Sequence, residues 1–383
     1  MQKILDFDRY GINYHVFRFN GNNNQQNGDN EQGTIKDFGA YETIEYAVNQ
    51  GFNVIVNITS GNNGNALKRA AFQYNRNNPL EERVKLVHIC PDNPKILGGL
   101  SDSFDGFEYS IPYASADLRN KWLTREDRIS IAEKILEEHK DEKFRVKGIA
   151  DVTHYIPNEY VKQAEEILRH TVNGKHLDYL AIPVGTGRTF LAFYYALNEL
   201  KSKGTEINTK LIGLVPKDEH PIFHNFVFEK RKNGGIEHII EDYYPSNINS
   251  MADKLSCPYT DLLPLLRETI ADGHKFIEID SYLTRKANKF SFKLGRKYSS
   301  ERGIKNPLEL ENSGSVGFVS VYPLAMYDIG KVGIKRKDNV GIFITGKGLY
   351  ATPSWEVETL AFERAVQKFK SALEYAIKIV LFK

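Results

Sequence analysis

Two cysteines, Cys90 and Cys257, are too few for a disulfide framework or a zinc site, and they fit a reducing compartment. No Cys-x-x-Cys pair occurs. An excess of one charge is missing as well. The 51 Lys and Arg residues nearly balance 49 Asp and Glu, for a net +2 at pH 7. No basic patch interleaved with aromatics stands out, so neither nucleic acid nor a charged membrane is an expected partner. No apolar run approaches the roughly 20 residues that cross a bilayer. Residues 376–382 are apolar but short, and read as the end of a packed helix. Met1 to Tyr10 is charged and poor in apolar residues, unlike a signal peptide. The expectation is a cytoplasmic protein without a metal centre.

What remains is an ordinary globular composition, 41% hydrophobic and 26% charged, over 383 residues, a length that suggests two domains. Residues 14–19 alternate like a strand, and 21–32 are nearly all Asn, Gln, Gly and Asp, a composition that reads as a mobile loop. Short apolar runs at 53–58, 84–90, 179–184, 210–215, 275–279 and 340–344 read as buried strands. Helical patterns fall at 37–50, 66–74, 126–139, 158–171, 190–200, 281–298, 314–327 and 355–382. Residues 92–121 have no clear period, and 220–250 read as irregular. Strands alternating with helices predict an α/β chain with mainly parallel sheets.

Four stretches carry chemistry. In Gly33-Thr34-Ile35-Lys36-Asp37-Phe38-Gly39-Ala40 a lysine sits at a helix start, where backbone amides and the dipole favour anions. A lysine in a low-dielectric site can lose its proton and act as an amine nucleophile; a Lys-Asp pair on a solvated helix face is the plainer alternative. Thr59-Ser60-Gly61-Asn62-Asn63-Gly64-Asn65 follows a strand and offers hydroxyls and amides suited to a carboxylate, or else forms an Asn/Gly-rich turn. Gly185-Thr186-Gly187-Arg188-Thr189 joins a strand to a helix as a phosphate cradle would, or as a tight turn without a ligand. It lacks the Gly-Lys-Ser/Thr of a nucleotide P-loop and the spacing of a dinucleotide fingerprint. Thr345-Gly346-Lys347-Gly348 ends the last strand with a hydroxyl able to meet a heteroaromatic nitrogen.

Taken together and in this order, these stretches resemble the pyridoxal-phosphate enzymes of the tryptophan-synthase-β type (fold type II). Gly33 to Asp37 is similar to the family's Schiff-base lysine motif, Thr59-Ser60-Gly61-Asn62 to its substrate loop, and Pro183 to Thr189 to its phosphate loop. Glu311-Asn312-Ser313-Gly314 is similar to a Glu-Pro-Ser-Gly stretch found there before a late helix. Within the family, Phe343 to Leu349 most resembles threonine synthase, and 251–255 and 279–283 also fit, whereas Gly185 to Thr189 looks more like the cysteine-synthase loop.

The resemblance implies two three-layer α/β/α domains with the cofactor cleft between them: a smaller, mobile one at 33–155 and a larger one at 156–383, to which 1–32 add a strand and a loop. It implies pyridoxal 5'-phosphate as cofactor and Lys36 as the catalytic residue. Asn62, Gly185, Thr186, Gly187, Arg188, Thr189 and Thr345 would complete the cofactor site. Thr59, Ser60, Gly61 and Asn63 would bind the amino acid substrate. It further implies a homodimer. The expected reaction is elimination or replacement, phosphohomoserine to threonine plus phosphate. Cysteine-synthase-like replacement, amino acid deamination, and a non-catalytic relative that binds a small ligand or partner are the alternatives. His220 and His224 have metal-ligand spacing, but Pro221 breaks a regular helix there, so they read as a loop or surface pair. His154 and Tyr155 read as surface residues near a cleft.

Overall fold

The computed structural model describes residues 2–19, 35–59, 62–91, 110–115, 123–138, 144–217, 220–223, 227–232, 235–240, 255, 257, 260–303, 308, 310, 312–322 and 332–345. The loop read at 21–32, the C-terminal helix at 355–382, and Gly33, Thr34, Ser60, Gly61, His224 and Glu311 lie outside the described residues.

Two mainly parallel sheets organise the chain. A hairpin, β1 (Gln2–Arg9) and β2 (Ile12–Arg18), opens the sequence. After α1 (Ala40–Asn49) come β3 (Val54–Ile58), α2 (Asn62–Asn77), β4 (Lys85–Pro91), β5 (Ser110–Ser115), α3 (Arg125–Glu138) and β6 (Ile149–Asp151). These strands form an all-parallel sheet in the order β5-β4-β3-β6. Next come α4 (Asn158–Leu168), a small ribbon of β7 (Thr171–Val172) and β8 (Lys175–His176), β9 (Tyr179–Pro183), α5 (Arg188–Ser202) and β10 (Lys210–Pro216). A second ribbon, β11 (Val227–Lys232) with β12 (Gly235–Ile240), precedes α6 (Leu263–Ala271), β13 (Lys275–Ile279), α7 (Ser281–Arg302), α8 (Asn312–Ser315) and β14 (Asn339–Phe343). The larger sheet runs β1-β2-β14-β9-β10-β13 and is parallel except for β1.

The apolar runs become central strands because both of their faces are covered. Along β9, Leu180 and Ile182 pack with α4 and α5, while Ala181 faces the core under α7. α5 is apolar nearly all round, with Phe190, Leu191, Phe193, Ala196, Leu197 and Leu200 fully buried. At about 1.5–3 kcal/mol for each large apolar side chain buried, this helix and its sheet supply much of the folding free energy. In the smaller sheet, Ile55 and Leu86 face α1 and α2, and Val54, Val56 and Val87 face α3.

The structure departs from the sequence reading in three places. β1 is a strand although its pattern is broken by Lys3, Asp6 and Asp8. It is held by a two-residue turn in which Tyr10 and Gly11 both take positive φ, 58° and 75°, the geometry of a tight hairpin. The run at 314–327 is not one α-helix: four residues of α8 pass into a 3₁₀ turn at Val316–Val321. Val316, Val319 and Val321 are β-branched and Gly317 is a weak helix former, which disfavours a regular α-helix. Finally, 220–250 contains the β11–β12 ribbon.

Among the described residues, no helix is long and apolar enough to cross a membrane, and no cluster of His, Cys, Asp and Glu could hold a metal.

Candidate active site

The carboxyl ends of β3, β6, β9 and β14 converge on one cleft of about 150 Å³, as open α/β sheets arrange their ligand sites. Its walls include Lys36, Thr59, Asn63, Gly185, Thr186, Gly187, Arg188, Thr189 and Thr345. Residues from the two ends of the described chain, Lys36 and Thr345 among them, thus share one cavity. Asn62 opens α2 at the same end, though its side chain lies outside the described residues. Thr153 and Ser313 also line the cleft. Ser313 belongs to the Glu311-Asn312-Ser313-Gly314 stretch, whereas nothing in the sequence around Thr153 points to a site.

Lys36 sits in a single 3₁₀ turn, Ile35–Asp37. The turn is fastened on three sides. Ile35 N–H donates to the carbonyl of Thr345 at 3.2 Å, which joins the lysine turn to the end of β14. Asp37 pairs with Arg69 of α2. Below it Phe38 packs edge-on against Phe19, whose ring also meets Phe343 at 4.8 Å, Tyr160 at 5.5 Å and Phe193 at 5.9 Å. This aromatic floor is buried, so the lysine stands on a rigid base.

Thr59 caps α2: its Oγ1 accepts the Gly64 N–H at 2.8 Å. A hydroxyl that accepts from a backbone amide can donate its own proton to a carboxylate. Thr153 holds the neighbouring strand end, its Oγ1 accepting from Ile58 N–H at 3.2 Å.

The loop 185–189 runs into α5 through Gly187, at φ 97°. A Cβ there would also come within 2.8 Å of Leu266 Cδ1, so the turn needs glycine for both conformation and space. No side chain caps α5, which leaves its first N–H groups turned toward the cleft that Gly187, Arg188 and Thr189 line.

Arg188 is the unexpected residue. It is 6% exposed, yet no carboxylate lies within ion-pair range among the described residues. Its Nη1 reaches the carbonyl of Tyr155 and its Nη2 reaches Asn63 Oδ1, both at a long 3.4 Å, and its Nε has no partner there. Burial pushes the guanidinium below the usual arginine range, with Tyr160 and Cys257 pulling the other way. Tyr160 is itself pushed up to about 12 by burial. A buried cation without a counter-ion is costly unless a ligand supplies the negative charge.

Two other polar groups bind the sheets to one another. Glu42 of α1 accepts from Tyr155 OH and from the first N–H groups of α4, at 2.7 Å for Asn158. Arg128 of α3, fully buried, donates to Asp151 and also reaches Asp261 at 2.8 Å, beside the segment that enters α6. His154, read as a surface residue, lies 2.8 Å from the same Asp261 oxygen with only a tenth of its side chain exposed.

No family model matches the chain, and none of the curated proteins does. Solved structures do. An O-ureido-L-serine-bound mutant of O-ureido-L-serine synthase superposes with a TM-score of 0.54 at 15% identity, over 92% of this chain and 89% of that one. A pyridoxal 5'-phosphate-dependent aspartate racemase gives 0.55 at 15% identity, over 88% and 85%. Maize serine racemase gives 0.53 at 15% identity, over 86% and 85%. At such identities the likeness establishes the fold, a mixed α/β architecture built on parallel sheets.

Proposed function

We propose that the protein is a pyridoxal-phosphate-dependent enzyme catalysing elimination or replacement on an amino acid, and that phosphohomoserine is its substrate, which with one water gives threonine and phosphate. One observation carries the reading: a lysine, an uncapped helix N-terminus with a buried arginine that has no carboxylate partner among the described residues, and a second capped loop share a single cleft. The fit to the cofactor rests on the donor set. The loop 185–189 offers amides, two hydroxyls and the Arg188 guanidinium, which suits a phosphate dianion. The structural neighbours, several of them named for work on amino acids, support the same reading.

Lys36 Nζ would hold the cofactor covalently and would take the proton from the substrate's α carbon. Gly185, Thr186, Gly187, Arg188 and Thr189 would hold the phosphate, and Asn62 would meet the ring 3-hydroxyl. Thr59, Ser60, Gly61 and Asn63 would bind the substrate carboxylate and so align its α C–H bond. Thr345 would meet the ring nitrogen. A hydroxyl there, unlike a carboxylate, would not hold a proton on that nitrogen, which would favour side-chain elimination or replacement over transamination. The bound cofactor would supply the electron sink. Residues 33–155 would act as a smaller domain that closes on 156–383 and 1–32 and excludes bulk solvent, in a cytoplasmic homodimer.

A second reading, cysteine-synthase-like replacement, is favoured by Gly185-Thr186-Gly187-Arg188-Thr189. Incubation with phosphohomoserine and with O-acetylserine separates the two. Phosphate release from the first, without acetate from the second, is expected. Acetate release alone would move the assignment to the second reading, and release of neither would refute both substrates.

A further inference from the structure

We propose that His220 and Thr260 are positioning residues that aim the amides of the 185–189 loop into the cleft; the inference builds on the reading of that loop as a phosphate site. Both side chains are buried, at 1% and 2% exposure, and neither lines the cavity. His220 Nδ1 accepts the Ile222 N–H at 3.2 Å, which leaves a proton on Nε2 to donate to the Gly185 carbonyl at 2.8 Å. Thr260 repeats the device one residue later. Its Oγ1 accepts the Leu262 N–H at 3.2 Å and its hydroxyl proton goes to the Thr186 carbonyl at 2.7 Å.

The consequence follows from the planar trans peptide, in which the carbonyl of one residue and the N–H of the next point in opposite directions. Pinning the carbonyls of Gly185 and Thr186 behind the loop turns the N–H groups of Thr186 and Gly187 to the other side, toward the cavity those residues line. Glycines on either side of Thr186 give this backbone freedom to turn over, so the loop needs an external clamp. The clamp comes from two segments, 220–222 and 260–262, distant from the loop in sequence. Neither residue touches the ligand in this account; each acts through a carbonyl.

The experiment compares Thr260→Val, which keeps the shape and loses the hydroxyl, with Thr260→Ser, which keeps the donor, and His220→Ala with His220→Gln. Binding of pyridoxal phosphate, of pyridoxal without the phosphate, and of inorganic phosphate is measured for each purified protein, with circular dichroism to confirm folding. Thr260→Val should weaken pyridoxal phosphate and inorganic phosphate by about tenfold or more, the scale of a lost hydrogen bond with its partner left buried, and leave pyridoxal unchanged. Thr260→Ser should restore binding, and His220→Gln should recover part of what His220→Ala loses. If His220→Ala does not fold, the threonine pair decides. Equal weakening of pyridoxal and pyridoxal phosphate, or no weakening, would overturn the proposal. Wild-type protein that binds inorganic phosphate but not pyridoxal phosphate, with Thr260→Val losing the former, would support the clamp while refuting the cofactor. Wild-type protein that binds none of the three would overturn both.

Discussion

Lys36→Ala should abolish turnover while leaving the protein folded. The loss should reach about 10²- to 10⁴-fold or more, because the variant lacks both the covalent anchor and the base that takes the α proton. Folding should survive for a local reason. The turn Ile35–Asp37 is fastened by the Ile35 amide, by the Asp37–Arg69 pair and by Phe38 on its aromatic floor, none of which uses the lysine side chain. Thermal unfolding within a few degrees of wild type, with product formation at background, is the expected result. Retained turnover would remove Lys36 from the chemistry.

The second large effect concerns Arg188, and its two readouts should move in opposite directions. Arg188→Met keeps the length and apolar stem and removes the charge. Among the described residues the guanidinium is buried with no carboxylate beside it and two long hydrogen bonds, so removing it should raise the stability of the protein without ligand by about 1 kcal/mol or more. Affinity for pyridoxal phosphate should instead fall by about tenfold to a hundredfold, the scale of a charge-assisted hydrogen bond of roughly 1.5–3 kcal/mol. Urea unfolding without ligand and a binding titration measure the two effects. A variant that is destabilised and binds normally would make Arg188 a strut between α5 and Asn63 rather than an anion partner.

The sequence announced some of this arrangement and hid the rest, for physical reasons. β3, β9, β10, β13 and β14 were legible because strands covered on both faces are continuous apolar runs between turn residues. β1 was not, because an edge strand with one exposed face tolerates Lys3, Asp6 and Asp8. Lys36, Thr59, Asn63, Gly185 to Thr189 and Thr345 could be singled out by residue type at strand and helix ends, and the structure gathers them in one cleft.

What could not be read was the support behind them. His220 reads as one of a loop or surface pair in the sequence; it is buried, and its bond to Gly185 spans 35 positions. Thr260 reaches Thr186 across 74. Such pairs leave no periodic signal in a single chain. Arg188 was legible as part of the Gly185 to Thr189 loop. Its burial without a carboxylate partner among the described residues was not, since arginine is ordinarily exposed or paired.

The central claim is that Lys36 holds a carbonyl cofactor by its ε-amine. The most direct test incubates the protein with pyridoxal phosphate, reduces it with borohydride, digests it and sequences the labelled peptide by mass spectrometry. The account predicts a yellow protein that loses its colour on reduction, with the reduced cofactor's mass on Lys36 alone and no label in Lys36→Ala. A colourless mixture with no adduct, or an adduct on another lysine that persists in Lys36→Ala, would contradict it.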